Sequence, residues 1–201
     1  MNRLIIVGAG GHGKSIANNA YQNGYTEIFF VDDVTVGECM GFPIIGKSED
    51  IEKLNDGKTD FVIGIGNNVI RKKVAEKYDV NWVTIIHPSA QIAINVSIEK
   101  GTVVMAGAVV NVCSTIGEHC IINTNSVVEH DNIIGNYVHI SPNVALGGTV
   151  QIGNNTHIGI GASVSNNIDV CSDCMIGAGA VVVRNIMEKG IYVGIPARII
   201  G

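Results

Sequence analysis

The chain is poor in aromatic residues: Phe, Tyr and Trp together make up 5% of 201 residues, with a single Trp. A core built on large rings is thereby excluded. The mean hydropathy is nonetheless high, at +0.31, so small branched aliphatics must carry the apolar surface. Also missing is any uninterrupted apolar run near the roughly 20 residues that a membrane-spanning helix needs. Leu4-Ile5-Ile6-Val7 stops at a glycine and is too short for the apolar region of a secretory signal. A cytoplasmic protein with no membrane span is expected. There is no excess of positive charge either: 13 Lys and Arg face 18 Asp and Glu, for a net charge of −5. That argues against a surface for nucleic-acid phosphates. The one basic run, Arg71-Lys72-Lys73, reads as the solvated face of a helix. The five cysteines are odd in number and suggest no disulfide framework. Cys171 and Cys174 have the spacing of a redox or metal pair, but no second pair follows, and the reading is structural.

What the chain does have is a strict period. Every sixth residue from Ile86 to Val182 is Ile, Val or Leu, without exception. The residue two places earlier is usually small or β-branched, as at Ala90, Thr102, Ser114, Ser126 and Ala180. An α-helix would place its apolar stripe at 3.6 and a half-buried strand at 2, so neither explains a period of six. Six residues suffice for one short strand and one turn. Repeated, they wind a three-sided prism filled by stacked aliphatics, a parallel β-helix. Eighteen residues close one turn and climb about one strand spacing, roughly 4.8 Å.

Residues 1–85 have another pattern. Strands are expected at Leu4 to Val7, Glu27 to Val31, Asp60 to Ile65 and Trp82 to Ile86, with helices at Lys14 to Asn23, Ser48 to Leu54 and Val69 to Tyr78. Alternation of strand and helix predicts a Rossmann-like α/β unit with a parallel sheet. The expected organisation is thus 1–85 as a nucleotide-binding domain, 86–183 as the β-helix and 184–201 as a C-terminal cap, because solenoids need covered ends. The α/β domain is expected to cover the first turn of the coil.

Two constellations carry chemistry. Gly8-x-Gly10-x-x-Gly13 follows a strand and opens a helix, where backbone can approach phosphate oxygens. Asp32-Asp33 ends the next strand, where such folds present a carboxylate to a ribose hydroxyl. A tight turn with no ligand is the plain alternative. The unit is short for both halves of a dinucleotide site, which favours a nucleotide-linked substrate over NAD. His12, inside the loop, suits either a phosphate or sugar contact or a helix cap. On the coil, His130 lies between Glu129 and Asp131, the layout of an oriented general base. His139 and His157 are eighteen apart and should stack in one column, whereas His130 is half a circuit away from His139. The two sides can meet only across a seam between subunits, and a closed threefold ring suits a three-sided prism. No set of histidines has convincing metal spacing, so no metal is expected.

The combined motifs carry a resemblance. They are the Gly8 to Gly13 loop with His12, Val31-Asp32-Asp33, Ile65-Gly66-Asn67-Asn68 with the basic run, Asn123 followed by Ser126 to Asp131, and Gly190 to Arg198. Together they resemble the sugar acetyltransferases typified by UDP-N-acetylbacillosamine N-acetyltransferase and the sialic acid O-acetyltransferases. The resemblance spans nearly the whole chain. It implies a left-handed winding, a homotrimer, an N-terminal domain for an NDP-amino sugar and a coil that takes acetyl-CoA. It implies that His130 is the base and Asp131 its orienting acid, in place of the family's more usual Glu. It implies that His139, Gly147 and Gly148 lie near the thioester, with the Gly148 N–H facing its carbonyl. Gly10, His12, Asp32, Asp33, Gly66 and Asn123 would surround the sugar nucleotide. Val34 stands where a lysine can follow the acidic pair in that family. The expected reaction is N-acetylation of a nucleotide-linked 4-amino deoxysugar. O-acetylation of a sialic acid-like sugar, a metal-dependent hydratase, an NAD-dependent oxidoreductase and a non-catalytic solenoid are the alternatives.

Overall fold

The computed structural model describes residues 3–200 and has two parts. The first is an α/β unit containing β1 (Arg3–Val7), α1 (Gly11–Gln22), β2 (Glu27–Val31), β3 (Glu38–Cys39) and β4 (Phe42–Gly46). After a 3-10 turn at Ser48–Asp50 come α2 (Ile51–Leu54), β5 (Asp60–Ile63) and α3 (Asn68–Lys77). The sheet order is β3-β4-β2-β1-β5. β4, β2, β1 and β5 are parallel, as the alternation predicts, and β3 is an antiparallel edge strand. Leu4, Ile5, Ile6, Phe30 and Phe61 are fully buried, with helices on both faces.

The glycine loop owes its shape to two close approaches. A Cβ on Gly13 would strike the carbonyl of Gly8, and one on Gly64 would sit 2.7 Å from the Cα of Gly13. The start of α1 is therefore packed backbone to backbone against the sheet. Gly10 and Gly11 meet nothing within 4 Å, so packing does not demand glycine at either.

From Ile85 the chain winds a left-handed parallel β-helix of two-residue strands, from β6 (Ile85–Ile86) to β22 (Val181–Val182). Partners in adjacent turns are eighteen apart, as in Ile122↔Ile140 and His139↔His157. The second residue of each strand points inward, and the ladder from Val104 to Val182 is buried. Burial of each such side chain is worth about 1.5–3 kcal/mol. A second period of six runs through the corners. Every sixth residue from Asn95 to Gly179 has a positive φ, between 52° and 71°. Eleven of these fifteen are Gly, Asn or Asp, the types that enter the left-handed region at least cost. Asp131 is one of them, with φ 58°.

Three expectations need correction. Trp82 to Ile86 is not a strand of the α/β sheet: Trp82 makes a single bridge to Phe61, and β6 pairs with Val103–Val104 of the coil. The α/β domain does not close the end of the coil. It lies against one side, because the outward residues Ile85, Val103 and Ile121 give the apolar face of α1 a flat surface to cover. Ile92 in the first turn stays 36% exposed. The C-terminal segment is not wholly aperiodic. β23 (Ile191–Val193) extends one sheet in parallel and β24 (Arg198–Ile200) closes it antiparallel.

Candidate active site

Two cavities meet at Gly66, one within the α/β unit and one between that unit and the coil. The first, about 490 Å³, lies over the C-terminal ends of the α/β strands and is lined by Gly10, His12, Asp32, Asp33, Gly66 and Lys73, among others. α1 opens it with Gly10 as N-cap, with no side-chain cap and no acidic residue in its first turn. The helix N-terminus therefore faces the cavity uncompensated, a setting that favours an anion. Asp32 Oδ2 accepts from the Ala9 N–H at 2.7 Å, and Oδ1 accepts from the N–H groups of Val34 and Thr35 at 2.9 and 2.7 Å. Burial pushes this carboxyl up, but the backbone donors outweigh it and hold it below the usual carboxylate range. Asp33 accepts from the N–H and hydroxyl of Ser48 at 2.8 Å. Both carboxylates thus shape the cavity wall as well as lining it. Val34 sits at the mouth, 89% exposed.

Positive charge at this cavity comes from α3. Lys73 and Lys77, one turn apart, both line it. The reading of Arg71-Lys72-Lys73 as a solvated face holds for the two lysines, both exposed, and is wrong for Arg71. Arg71 is 1% exposed and Lys73 faces the cavity; Lys72 lies outside, near Glu76 and over the Tyr137 ring. A helix has two faces, and a three-residue run spans more than one of them.

The second cavity, about 630 Å³, continues along the same side of the coil and shares Gly66 with the first. His139 and His157 line it, with ring centroids 4.6 Å apart and planes within 3°. His12, in the wall of the first cavity, has its ring 6.4 Å from that of His139. Asn123, expected around the sugar nucleotide, lies beside His139. Its Oδ1 accepts from the Thr124 N–H at 2.8 Å, so Nδ2 faces His139 Nε2 at 3.0 Å. Nε2 is then the acceptor and Nδ1 carries the hydrogen. Burial and the charges of His157 and Arg71 push the His139 pKa down to about 2, while burial and Arg71 bring His12 to about 4. Both rings are neutral at physiological pH. His139 Nδ1 and His12 Nε2 are buried and have no hydrogen-bond partner among the described residues.

His130 lies elsewhere. It sits on the corner between strands Val127–Val128 and Ile133–Ile134, while His139 belongs to the sheet opposite that corner. The two do not meet within one chain, as their spacing predicts. His130 Nδ1 is 2.8 Å from Asp131 Oδ2, and both side chains are about half exposed. With Nδ1–H donated to the carboxylate, Nε2 is free to accept a proton. Gly148, one turn away, lies under the ring: a Cβ there would be 2.5 Å from His130 Cε1 and 2.6 Å from Nε2. The Gly148 N–H is in a buried residue and has no acceptor among the described residues. Gly147 is next to it but is packed under Asn166, whose N would lie 2.8 Å from an added Cβ. Its glycine has a stacking reason.

An anion-favouring cavity at the strand ends, on a β-helix that carries a carboxylate-held imidazole over a free backbone N–H, defines an acetyltransferase of the β-helix class. Residues 3–78 match the PglD N-terminal domain family. The acetyltransferase domain of PglB from Neisseria gonorrhoeae FA1090 is 38% identical over 100% of both chains, with a TM-score of 0.97, and the same domain is also known in complex with acetyl coenzyme A. PerB from Caulobacter crescentus, in complex with CoA and GDP-perosamine, is 34% identical over 100% of this chain and 98% of that one, with a TM-score of 0.95. The UDP-N-acetylbacillosamine N-acetyltransferase of Bacillus subtilis (strain 168) is 39% identical over 113 residues, 53% of this chain and 52% of that protein, so the match spans about half the length of this curated relative. The chain belongs to the PglD-type family of acetyltransferases.

Lys73, Lys77, Asn68 and Arg71 escaped the sequence reading as site residues. The i, i+4 spacing of the two lysines beside a glycine loop is the one signal that points to them. His157, read there as structural, is placed by its stacking on His139 in the wall of the second cavity.

Proposed function

We propose that the chain transfers the acetyl group of acetyl-CoA to the amino group of a nucleotide-linked 4-amino deoxysugar, with His130 as general base. The observation that carries this reading is the stack of Asp131, His130 and Gly148: an oriented imidazole beside an unpartnered backbone N–H. The relatives' partners, acetyl-CoA for PglB and CoA with GDP-perosamine for PerB, supply the chemical classes. The nucleotide occupies the first cavity, with its phosphates at the start of α1 and near Lys73, along Gly10, His12, Asp32, Asp33 and Gly66. The sugar extends past Gly66 toward the cleft of His139 and Asn123. The acetyl-CoA thioester lies along the coil at Gly147 and Gly148.

The amine nitrogen adds to the thioester carbonyl carbon as His130 Nε2 takes its proton. Asp131 holds the ring and stabilises the imidazolium. A base of this kind contributes about 10²- to 10⁴-fold. The negative charge on the carbonyl oxygen faces the Gly148 N–H, a contact worth about 3 kcal/mol when aligned. The tetrahedral adduct then expels the CoA thiolate, which takes the proton back from His130. No covalent enzyme intermediate is needed.

Because His130 sits on the edge opposite the His139 sheet, the sugar of one subunit must meet the imidazole of another. A threefold homotrimer with active sites at its seams satisfies this. Acetyl-CoA as donor supports a cytoplasmic reaction. The test is a panel of UDP-, GDP- and dTDP-linked 4-amino sugars, with hydroxyl-only sugars as controls, incubated with acetyl-CoA and read by mass spectrometry. A mass gain of one acetyl group on an amino sugar, lost in His130→Ala, is expected. Wild-type rates in His130→Ala would falsify the assignment.

A further inference from the structure

Arg71 is the one buried Lys or Arg among the described residues, and no carboxylate pairs with it. Its five N–H donors meet five neutral oxygens. Nε donates to the His119 carbonyl at 2.8 Å. Nη1 donates to the carbonyls of Ile65 and Gly66 at 3.1 and 3.0 Å. Nη2 donates to Asn68 Oδ1 at 2.8 Å and the Tyr137 carbonyl at 2.9 Å. Asn68 Nδ2 in turn donates to the carbonyls of Asn155 and Thr156 at 3.1 and 3.2 Å. His119, Tyr137 and Asn155 are successive corners of one edge of the coil, each with positive φ. No backbone N–H of the coil reaches their three carbonyls, so the start of α3 satisfies acceptors the solenoid leaves open.

A buried cation without a counter-charge is a costly way to fasten two domains, since a well-packed apolar side chain avoids the desolvation. What the guanidinium adds is direction, through a planar fork with fixed donor angles. The fork clamps the Ile65–Gly66 turn, and Gly66 is the residue shared by both cavities. We infer that Arg71 is a positioning residue: it fixes the Ile65–Gly66 turn against two corners of the coil and so sets the reach of the bound sugar from the nucleotide cavity to the acetyl group. This rests on the proposed function for the identity of what is positioned.

The test uses the full chain as Arg71→Lys, which keeps the charge and loses the fork, and as Arg71→Ala with and without added guanidinium ion. Thermal melts, titrations with UDP, GDP and dTDP, and kcat and KM for each substrate are measured. Arg71→Lys should fold, bind its nucleotide within about threefold of wild type, keep its KM for acetyl-CoA and lose about a hundredfold in kcat, the scale of a misplacement of about 1 Å. Guanidinium should restore at least about tenfold of kcat to Arg71→Ala and none to His130→Ala. A folded Arg71→Lys with kcat near wild type overturns the inference. So does a parallel fall of melting temperature, nucleotide affinity and kcat without rescue, which a plain fastener would give. If wild type acetylates no sugar of the panel, the proposed function fails by itself, and hydrogen exchange decides about Arg71. The Ile70 and Arg71 amides, both held by Asn67 at the end of this turn, should exchange at least about tenfold faster in Arg71→Lys while coil amides keep their protection. Unchanged exchange there overturns it.

Discussion

Gly148→Ala isolates the chemistry from the fold. An added Cβ would lie 2.5 Å from His130 Cε1, whereas ordinary contact begins near 3.4 Å. The ring must retreat by about 0.9 Å. It has room to do so, because His130 is half exposed and is held at its tip by one hydrogen bond to Asp131. The coil keeps its register, since the Gly148 carbonyl still accepts from Asn167 and the flanking strand Ala145–Leu146 is untouched. A reacting group moved by about 1 Å costs about a hundredfold in rate, or about 2.7 kcal/mol of barrier. Steady-state kinetics with the best amino sugar of the panel should show that loss in kcat, with a melting temperature within a few degrees of wild type. Gly161→Asn serves as control, because Gly161 occupies a left-handed corner (φ 66°) with nothing within 4 Å of a Cβ, and Asn is used at five such corners. Full activity in a well-folded Gly148→Ala enzyme would mean that the imidazole over Gly148 takes no part in transfer.

Three further outcomes follow from the same geometry. Co-expressing His130→Ala with His12→Ala should raise activity above that of either variant alone, because about a quarter of the seams in a random trimer carry both intact groups; a mixed trimer no more active than the single variants rules out a shared site. Gly13→Ala should cost about 1–3 kcal/mol or more, because its Cβ meets the Gly8 carbonyl, whereas Gly10→Ala should melt like wild type and weaken nucleotide binding by calorimetry; equal melting temperatures for the two would refute this reading of the loop. Burial, with Arg71 nearby, depresses the pKa of His12 and of His119 to about 4. The unfolded chain then binds protons that these folded imidazoles refuse, so stability that is full above about pH 6.5 should fall as pH drops toward 4, by up to about 1.4 kcal/mol per pH unit for each. Urea midpoints measured from pH 7.5 to 5.5 should decline, and a flat series contradicts the assignment.

Most of the fold was legible because the coil is periodic. A contact between residues eighteen apart repeats in every turn, so the aliphatic ladder, the stacking of His139 on His157 and the separation of His139 from His130 all follow from counting. The corner period was equally present, in Asn95, Asn125, Asp131 and Asn143, but the aliphatic series hides it unless backbone conformation is considered. The glycine loop was legible as a loop, although the sequence could not separate Gly8 and Gly13, which packing demands, from Gly10 and Gly11, which it does not. At Asp131 two reasons coincide, a corner that favours Asp and a carboxylate beside an imidazole, and spacing alone does not divide them.

The amino-acid order by itself determined the two architectures, the register of the coil and the relative placement of His130, His139 and His157, because each depends on repeats or on near neighbours. Only the tertiary structure decided that Arg71 is buried, that Asp32 is already held by three backbone donors, and that Gly66 joins two cavities. Those arrangements join residues of one domain to the other or of one loop to the next. Such contacts recur at no fixed interval, so no pattern along the chain reports them; they exist only once α1 finds the flat side of the coil and α3 finds the open carbonyls along its edge.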